Sequence, residues 1–305
     1  MKNEQEFEKY LAKEKGASRS TASAYLGDLR EFCRFMEGRG KTGETAGNAD
    51  VAAFLRELKE AGRSGATVNR KLASVRSYYA YLRSAGLCSE DPTMGLKAPK
   101  QQRKDVEFLS VDEVNKLLET PGEDAKGIRD RALLEMMYAT GMKASEIAAV
   151  NTGDINLRIG FVSCSGESGK ARIIPLGKPA RRAIQDYLDD SRPVLLGKEK
   201  DCGALFLNYM GDRMTRQGIW KLLRFYGDKA GIRKDMNPLI LRNSFAAHMI
   251  QNGADLKSLQ ELLGHEDITA TKVFLSLSKK QDHGRLRQSL PAGIKSACAG
   301  YAGVL

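Results

Sequence analysis

Cysteine and histidine are scarce in this chain. Five cysteines (Cys33, Cys88, Cys164, Cys202 and Cys298) are odd in number and scattered over 305 residues. No CxxC pair occurs, and there are three histidines, His248, His265 and His283. A disulfide framework and a zinc site are both unexpected, and the cysteine usage fits a reducing cytosol. No metal and no cofactor are expected. No apolar run approaches the ~20 residues needed to span a bilayer, so no membrane partner is expected. The opening MKNEQEFEKYLAKEKG is charged and lacks an apolar core, which argues against a secretory signal. The expected location is the cytoplasm, at a bacterial nucleoid. No internal repeat is visible.

What is abundant is positive charge. Lys and Arg total 49 against 38 Asp and Glu, a formal net charge of +11. The sequence pI is about 9.4. Such an excess favours a polyanionic partner, because cations displace counterions condensed on phosphates. The charges are interspersed, which excludes a basic tail as their source. Hydrophobic residues are 42% and charged residues 29%, as in a globular protein. A length of 305 residues suggests two domains.

The first part reads as helical. Tyr25, Leu29, Phe32 and Met36 recur at helical spacing, and Gly38 and Gly40 end the run. A second stripe is Val68, Leu72, Val75, Tyr79 and Leu82. On another side of that helix lie Asn69, Arg76 and Arg83, either a solvated face or a line of phosphate contacts. DPTMGLKAPKQQRKDVEF, with Pro92, Gly95, Pro99 and four nearby cations, reads as a linker. Ser110-Val111-Asp112-Glu113 is a capping box. A helix over Arg129–Tyr138 follows, then a Thr140-Gly141 turn and a short helix. FVSCSGESGKARIIPL places two strands around Gly166-Glu167-Ser168-Gly169. Helices resume around 179–189, 215–230, 241–252 and 255–263. Trp220 is expected in the core.

The string NPLILRNSFAAHMIQNGADLKSLQELLGHEDITATKVF resembles the catalytic region of tyrosine recombinases, the lambda-integrase and Xer group. YATGMKASEIAAV, GESGKARIIPL and MTRQGIWKLL extend the resemblance. The first half is similar to that family's helical core-binding domain, and the match runs over about residues 3–285 in the right order. It implies a mainly α fold with a small β-sheet (α+β). A SAM-like core-binding domain would occupy 1–96, a basic linker 97–107 and a recombinase-like catalytic domain 108–290. A tail at 291–305 would be a trans-docking helix or disordered.

The family's chemistry uses a tyrosine hydroxyl that attacks a DNA phosphodiester and forms a 3′-phosphotyrosine. Two arginines and a His or Trp brace the phosphate, a hairpin lysine protonates the leaving oxygen, and a further His or Lys assists. Arg242 and His265 match their family positions. Lys143 stands for the first arginine in TGMKASE and lacks the planar fork. Glu167 stands for the hairpin lysine, and Lys170 matches a later lysine of that string. Leu239 replaces the proton-transfer histidine in PLILRN, and Asn243 replaces the second histidine. Phe274 stands at the nucleophile position, nine residues after His265. The tyrosine beyond it is Tyr301, which a neighbouring subunit could supply in trans. Losing an oxyanion-type donor costs about 10²–10³ in rate, and losing acid–base help roughly 10²–10⁴.

Taken together, these positions predict a non-catalytic, double-stranded DNA-binding relative. It would be a regulator, architectural factor or accessory subunit of recombination, carried on a mobile element, self-associating on DNA or pairing with an active recombinase. The alternative is an active site-specific recombinase with a rearranged or trans-supplied nucleophile. A binding scaffold without DNA is a third reading. The expected DNA contacts are Arg70, Lys71, Arg76, Lys143, Lys170, Arg172, Thr215, Arg216, Gln217, Arg242 and His265.

Overall fold

The computed structural model describes residues 3–97, 106–166, 171–265 and 269–274. The chain forms two compact units, Met1–Lys104 and Asp105–Leu305. Most of the expected linker, the tip of the hairpin and the tail lie outside the described residues.

The first unit is built from α1 (Glu4–Lys13), α2 (Arg19–Glu37), α3 (Asn48–Glu60) and α4 (Gly65–Ser84). Ser18 and Ser64 cap α2 and α4, each accepting a backbone N–H three residues on, at 3.2 Å. The two apolar stripes read from the sequence meet in one core. Leu29, Phe32 and Met36 of α2 are fully buried, as are Val68, Leu72, Val75 and Leu82 of α4. Each such side chain contributes about 1.5–3 kcal/mol of burial free energy. Tyr25 is only half-buried, and the inward line of α2 begins at Ala22 and Leu26. Gly38 caps α2, and Gly40 takes the left-handed conformation (φ 68°) that suits glycine.

The second unit opens with α5 (Val111–Glu119), whose box is made as expected: Ser110 Oγ accepts from Glu113 N–H and Glu113 returns an acceptor to Ser110 N–H. Next come α6 (Ala125–Thr140) and α7 (Ala144–Ala149). An antiparallel sheet follows in the order β1 (Ile155–Asn156), β2 (Phe161–Ser165), β3 (Ala171–Pro175). Its register pairs Val162 with Ile174 and Cys164 with Arg172. The two-residue β1 is too short to leave a periodic signal. Then come α8 (Lys178–Asp186), a π-turn at Tyr187–Ser191, α9 (Arg192–Leu196), α10 (Arg216–Lys229), α11 (Pro238–Gln251), α12 (Leu256–Leu263) and α13 (Thr269–Lys272).

α6 is buried almost all round and packs against α8 and α11, which makes it the centre of the unit. The observed architecture is the expected one, mainly helical with a small sheet. Trp220 departs from expectation: it is 39% exposed, and the Arg224 guanidinium lies 4.8 Å from its ring centre. The cation–π contact lets this aromatic stay at the surface. No described helix is long and apolar enough to cross a membrane.

Candidate active site

Five elements converge where α6 ends. Gly141 caps α6 in the left-handed conformation (φ 59°), and a Cβ there would lie 2.4 Å from the Phe245 ring. Only glycine lets the chain turn so close to α11. The Gly141 carbonyl accepts from Arg242 Nη1 at 2.6 Å, and the Leu263 carbonyl, at the end of α12, accepts from Nη2 at 2.7 Å. Arg242 is thus pinned on α11 with 7% of its surface exposed. Of the five N–H donors of a guanidinium, these two bonds leave three for a ligand.

Glu146, on the first turn of α7, organises the other half. Its carboxylate accepts the Lys143 backbone N–H at 2.8 Å and both Nη groups of Arg172 at 2.9 and 2.8 Å. Arg172, on β3, also donates from Nε to the Leu262 carbonyl at 2.9 Å. This fork ties α7, the sheet and α12 together. Lys143 itself is exposed at the N-terminus of α7.

His265 follows α12 directly. Its backbone N–H donates to the Gln260 carbonyl at 3.1 Å, and Gln260 Nε2 donates back to the His265 carbonyl at 3.0 Å. Its ring Nδ1 lies 2.9 Å from Thr271 Oγ1 on α13. Phe274 is 3% exposed and belongs to the hydrophobic core, and its backbone N–H donates to the Thr271 carbonyl at 3.1 Å.

Electrostatics mark these residues as one site. Burial pushes the Arg242 pKa down to about 10, with Glu146 opposing and Arg172 reinforcing the shift. Arg242 therefore remains charged at neutral pH. Burial, then the charges of Arg242, Lys143 and Arg172, push His265 down to about 4. Its imidazole is neutral at pH 7. Burial acts to raise the Glu146 carboxyl, but the hydrogen bonds from Arg172 and Lys143 and the nearby cations prevail and hold it below its ordinary value. Burial, assisted by Glu146, raises the Cys164 thiol to about 11, so it is not a nucleophile at neutral pH. Among the described residues no cluster suited to a metal ion is present. What the site offers is a buried arginine with spare donors, a neutral imidazole and an exposed ammonium, suited to an anion such as a phosphodiester.

The structure brings Lys143, Arg172, Arg242 and His265 together. Arg172 was expected as a DNA contact, but its fork is taken up by Glu146. Glu167 and Lys170 lie outside the described residues, as does Tyr301. Leu239 is 61% exposed on the first turn of α11, capped by Asn237. Asn243 donates from Nδ2 to the Glu107 carbonyl at 3.0 Å, a structural bond. Thr215 caps α10 as expected, accepting from Gly218 N–H at 3.0 Å, and Arg216 and Gln217 are exposed beside it.

In the first unit the expected contacts are largely engaged within the fold. Lys71 is buried and pairs with Asp28 and Glu31 at 2.9 and 2.8 Å. Arg70 pairs with the same Asp28, and Arg76 donates to the Leu96 carbonyl. Sequence reasoning passed over Glu146 and Thr271. Glu146 stood inside the quoted TGMKASE string, and Thr271 inside TATKVF.

Comparison with known proteins fixes the lineage. The Phage integrase family matches residues 107–281, and the Phage integrase N-terminal SAM-like domain matches residues 5–86. Tyrosine recombinase XerD of Oceanobacillus iheyensis is 40% identical over 277 residues, covering 90% of this chain and 93% of that protein. Tyrosine recombinase XerC of Roseiflexus castenholzii is 39% identical over 281 residues, covering 91% and 89%. The fold is shared with the XerH site-specific recombinase bound to its difH substrate (TM-score 0.73, 21% identity, covering 91% of this chain and 82% of that one). It is shared too with a lambda integrase tetramer bound to a Holliday junction (TM-score 0.70, 16% identity, covering 92% and 77%).

These relatives correct one expectation. The sequence reading made the chain a non-enzyme, yet proteins about 40% identical over 90% of it are named tyrosine recombinases, which are enzymes. The departures expected at Lys143, Glu167, Leu239 and Phe274 therefore do not make the chain a non-enzyme. Both halves of the chain match, in order and nearly end to end, and the chain belongs to the phage integrase family of tyrosine recombinases.

Proposed function

We propose that this chain binds double-stranded DNA, self-associates on it, and acts there as a site-specific recombinase with a rearranged active site. The observation that carries the reading is the pinned Arg242 beside a neutral His265, within a chain 40% identical to a named tyrosine recombinase; we read both residues as holding the family's positions. Arg242 would donate its remaining N–H groups to the scissile phosphate, where negative charge grows during attack. His265 would add a hydrogen bond, and Lys143 would contribute charge without a bidentate fork. The nucleophile would come from outside the described site. Tyr301 is the one tyrosine after Tyr226, and it is the residue to supply the hydroxyl, from the same chain or from a neighbouring protomer. Its oxygen would form the phosphotyrosine bond while the deoxyribose 5′-oxygen leaves and takes up a proton.

The test mixes purified full-length protein with fragmented bacterial genomic DNA, runs native and SDS gels, and sequences the bound fragments. The expected result is a site-enriched native shift and an SDS-resistant adduct that disappears in Tyr301→Phe. A shift that vanishes completely in SDS for the natural protein would overturn the recombinase reading and leave DNA binding alone.

A further inference from the structure

Thr271 is fully buried, and its hydroxyl lies 2.9 Å from His265 Nδ1. Among the described residues no other hydrogen bond of that hydroxyl is present. A buried hydroxyl hydrogen needs an acceptor, and leaving it unmade costs about 1–3 kcal/mol. Among the described residues the ring nitrogen is the acceptor at hand. A neutral imidazole carries one proton, so a ring that accepts at Nδ1 must hold its proton at Nε2. His265 is neutral at pH 7 because burial and the cations Arg242, Lys143 and Arg172 oppose protonation more strongly than Glu146 favours it. Its tautomer is therefore a real choice.

From this geometry we infer that Thr271 is a positioning residue: its hydroxyl donates to His265 Nδ1, fixes the Nε2–H tautomer and holds the ring as a hydrogen-bond donor toward a phosphate. The other tautomer would present a lone pair to the phosphate oxygen and repel it. The backbone brackets the ring as well. The Gln260 bonds hold the His265 main chain, and the Thr271 carbonyl accepts the Phe274 N–H. One threonine thus links the histidine to Phe274. The phosphate half of this assignment rests on the proposed function, whereas the tautomer half does not.

The experiment separates the two. Long-range ¹H–¹⁵N correlation spectra of DNA-free, full-length protein at pH 7 report the tautomer of each histidine, with His265→Gln identifying the signal. The expected pattern is Nε2–H for His265, retained in Thr271→Ser and lost or mixed in Thr271→Val. An Nδ1–H tautomer in the natural protein overturns the assignment without any variant having to fold. So does an unchanged Nε2–H signal in a folded Thr271→Val protein. In the adduct assay, Thr271→Val is expected to slow formation on the order of tenfold to a hundredfold, by analogy with the outer partners of metal-bound histidines, with Thr271→Ser restoring it. Equal adduct rates for Thr271→Val and the natural protein would overturn the phosphate role. A wild-type protein that forms no adduct yet shows Nε2–H would sink the proposed function and leave the positioning contact standing.

Discussion

His248 shows how one buried side chain sets a pH dependence. It is 2% exposed, and its Nδ1 lies 2.9 Å from the Tyr138 hydroxyl. Burial pushes its pKa from 6.5 down to about 4, against the opposing effect of a hydrogen bond with the Leu109 backbone. The unfolded chain therefore takes up a proton that the folded chain refuses between those values. Stability from this group is complete above pH 6.5 and falls as pH drops toward 4, by about 3 kcal/mol across the window. Urea denaturation at pH 7.5 and 4.5 measures the loss, and His248→Gln is expected to flatten it. His265 shifts in the same direction, whereas Glu135, raised by burial to about 7, gains stability as pH falls over the same range, so the residual slope in that variant is the difference of the two.

Elements in the second unit are joined through a single carboxylate. Glu146 binds Arg172 across 26 residues of sequence and is itself 6% exposed. Removing one member of such a pair leaves the other charge buried and costs about 3–5 kcal/mol. Glu146→Ala is expected to lower the urea midpoint accordingly. The double variant Glu146→Met with Arg172→Met is expected to recover most of that loss, because both desolvation penalties go together. The pair also has its own pH window. The Glu146 pKa is held below its ordinary 4.5, so its contribution is present above 4.5 and disappears as pH falls through the folded value.

At the scale of the whole molecule, a net charge of +11 predicts salt-sensitive DNA binding, but not every cation contributes. Each phosphate contact adds about 0.9 to the slope of log K against log salt on duplex DNA. Arg216, exposed at the start of α10, is expected to carry one such contact, and Arg216→Ala to reduce the slope by about one. Lys71 is neutralised by Asp28 and Glu31, so Lys71→Met is expected to leave the slope unchanged while lowering stability. Fluorescence anisotropy across a salt series distinguishes the two. A fall in slope for Lys71→Met at unchanged stability would refute this division.

The sequence by itself determined the long helices with clear apolar stripes, two of their caps and their order. The stripe from Val68 to Leu82, the Ser110 box and the Thr140-Gly141 turn depend on neighbours a few residues apart, and each formed where its spacing placed it. It also carried the family resemblance, in the strings around Arg242 and His265. Tertiary structure alone decided which charges remain available. Lys71 and Arg76 look alike as cations in a sequence, yet one is held by Asp28, 43 residues away, and the other by a backbone carbonyl. Arg172 became a brace because Glu146 of α7 meets it from 26 residues away in sequence, and Arg242 became a fixed donor because Gly141, 101 residues earlier, turns its carbonyl toward it. Helical periodicity is a short-range property of the chain, whereas the partner of a charge is set by distance in space.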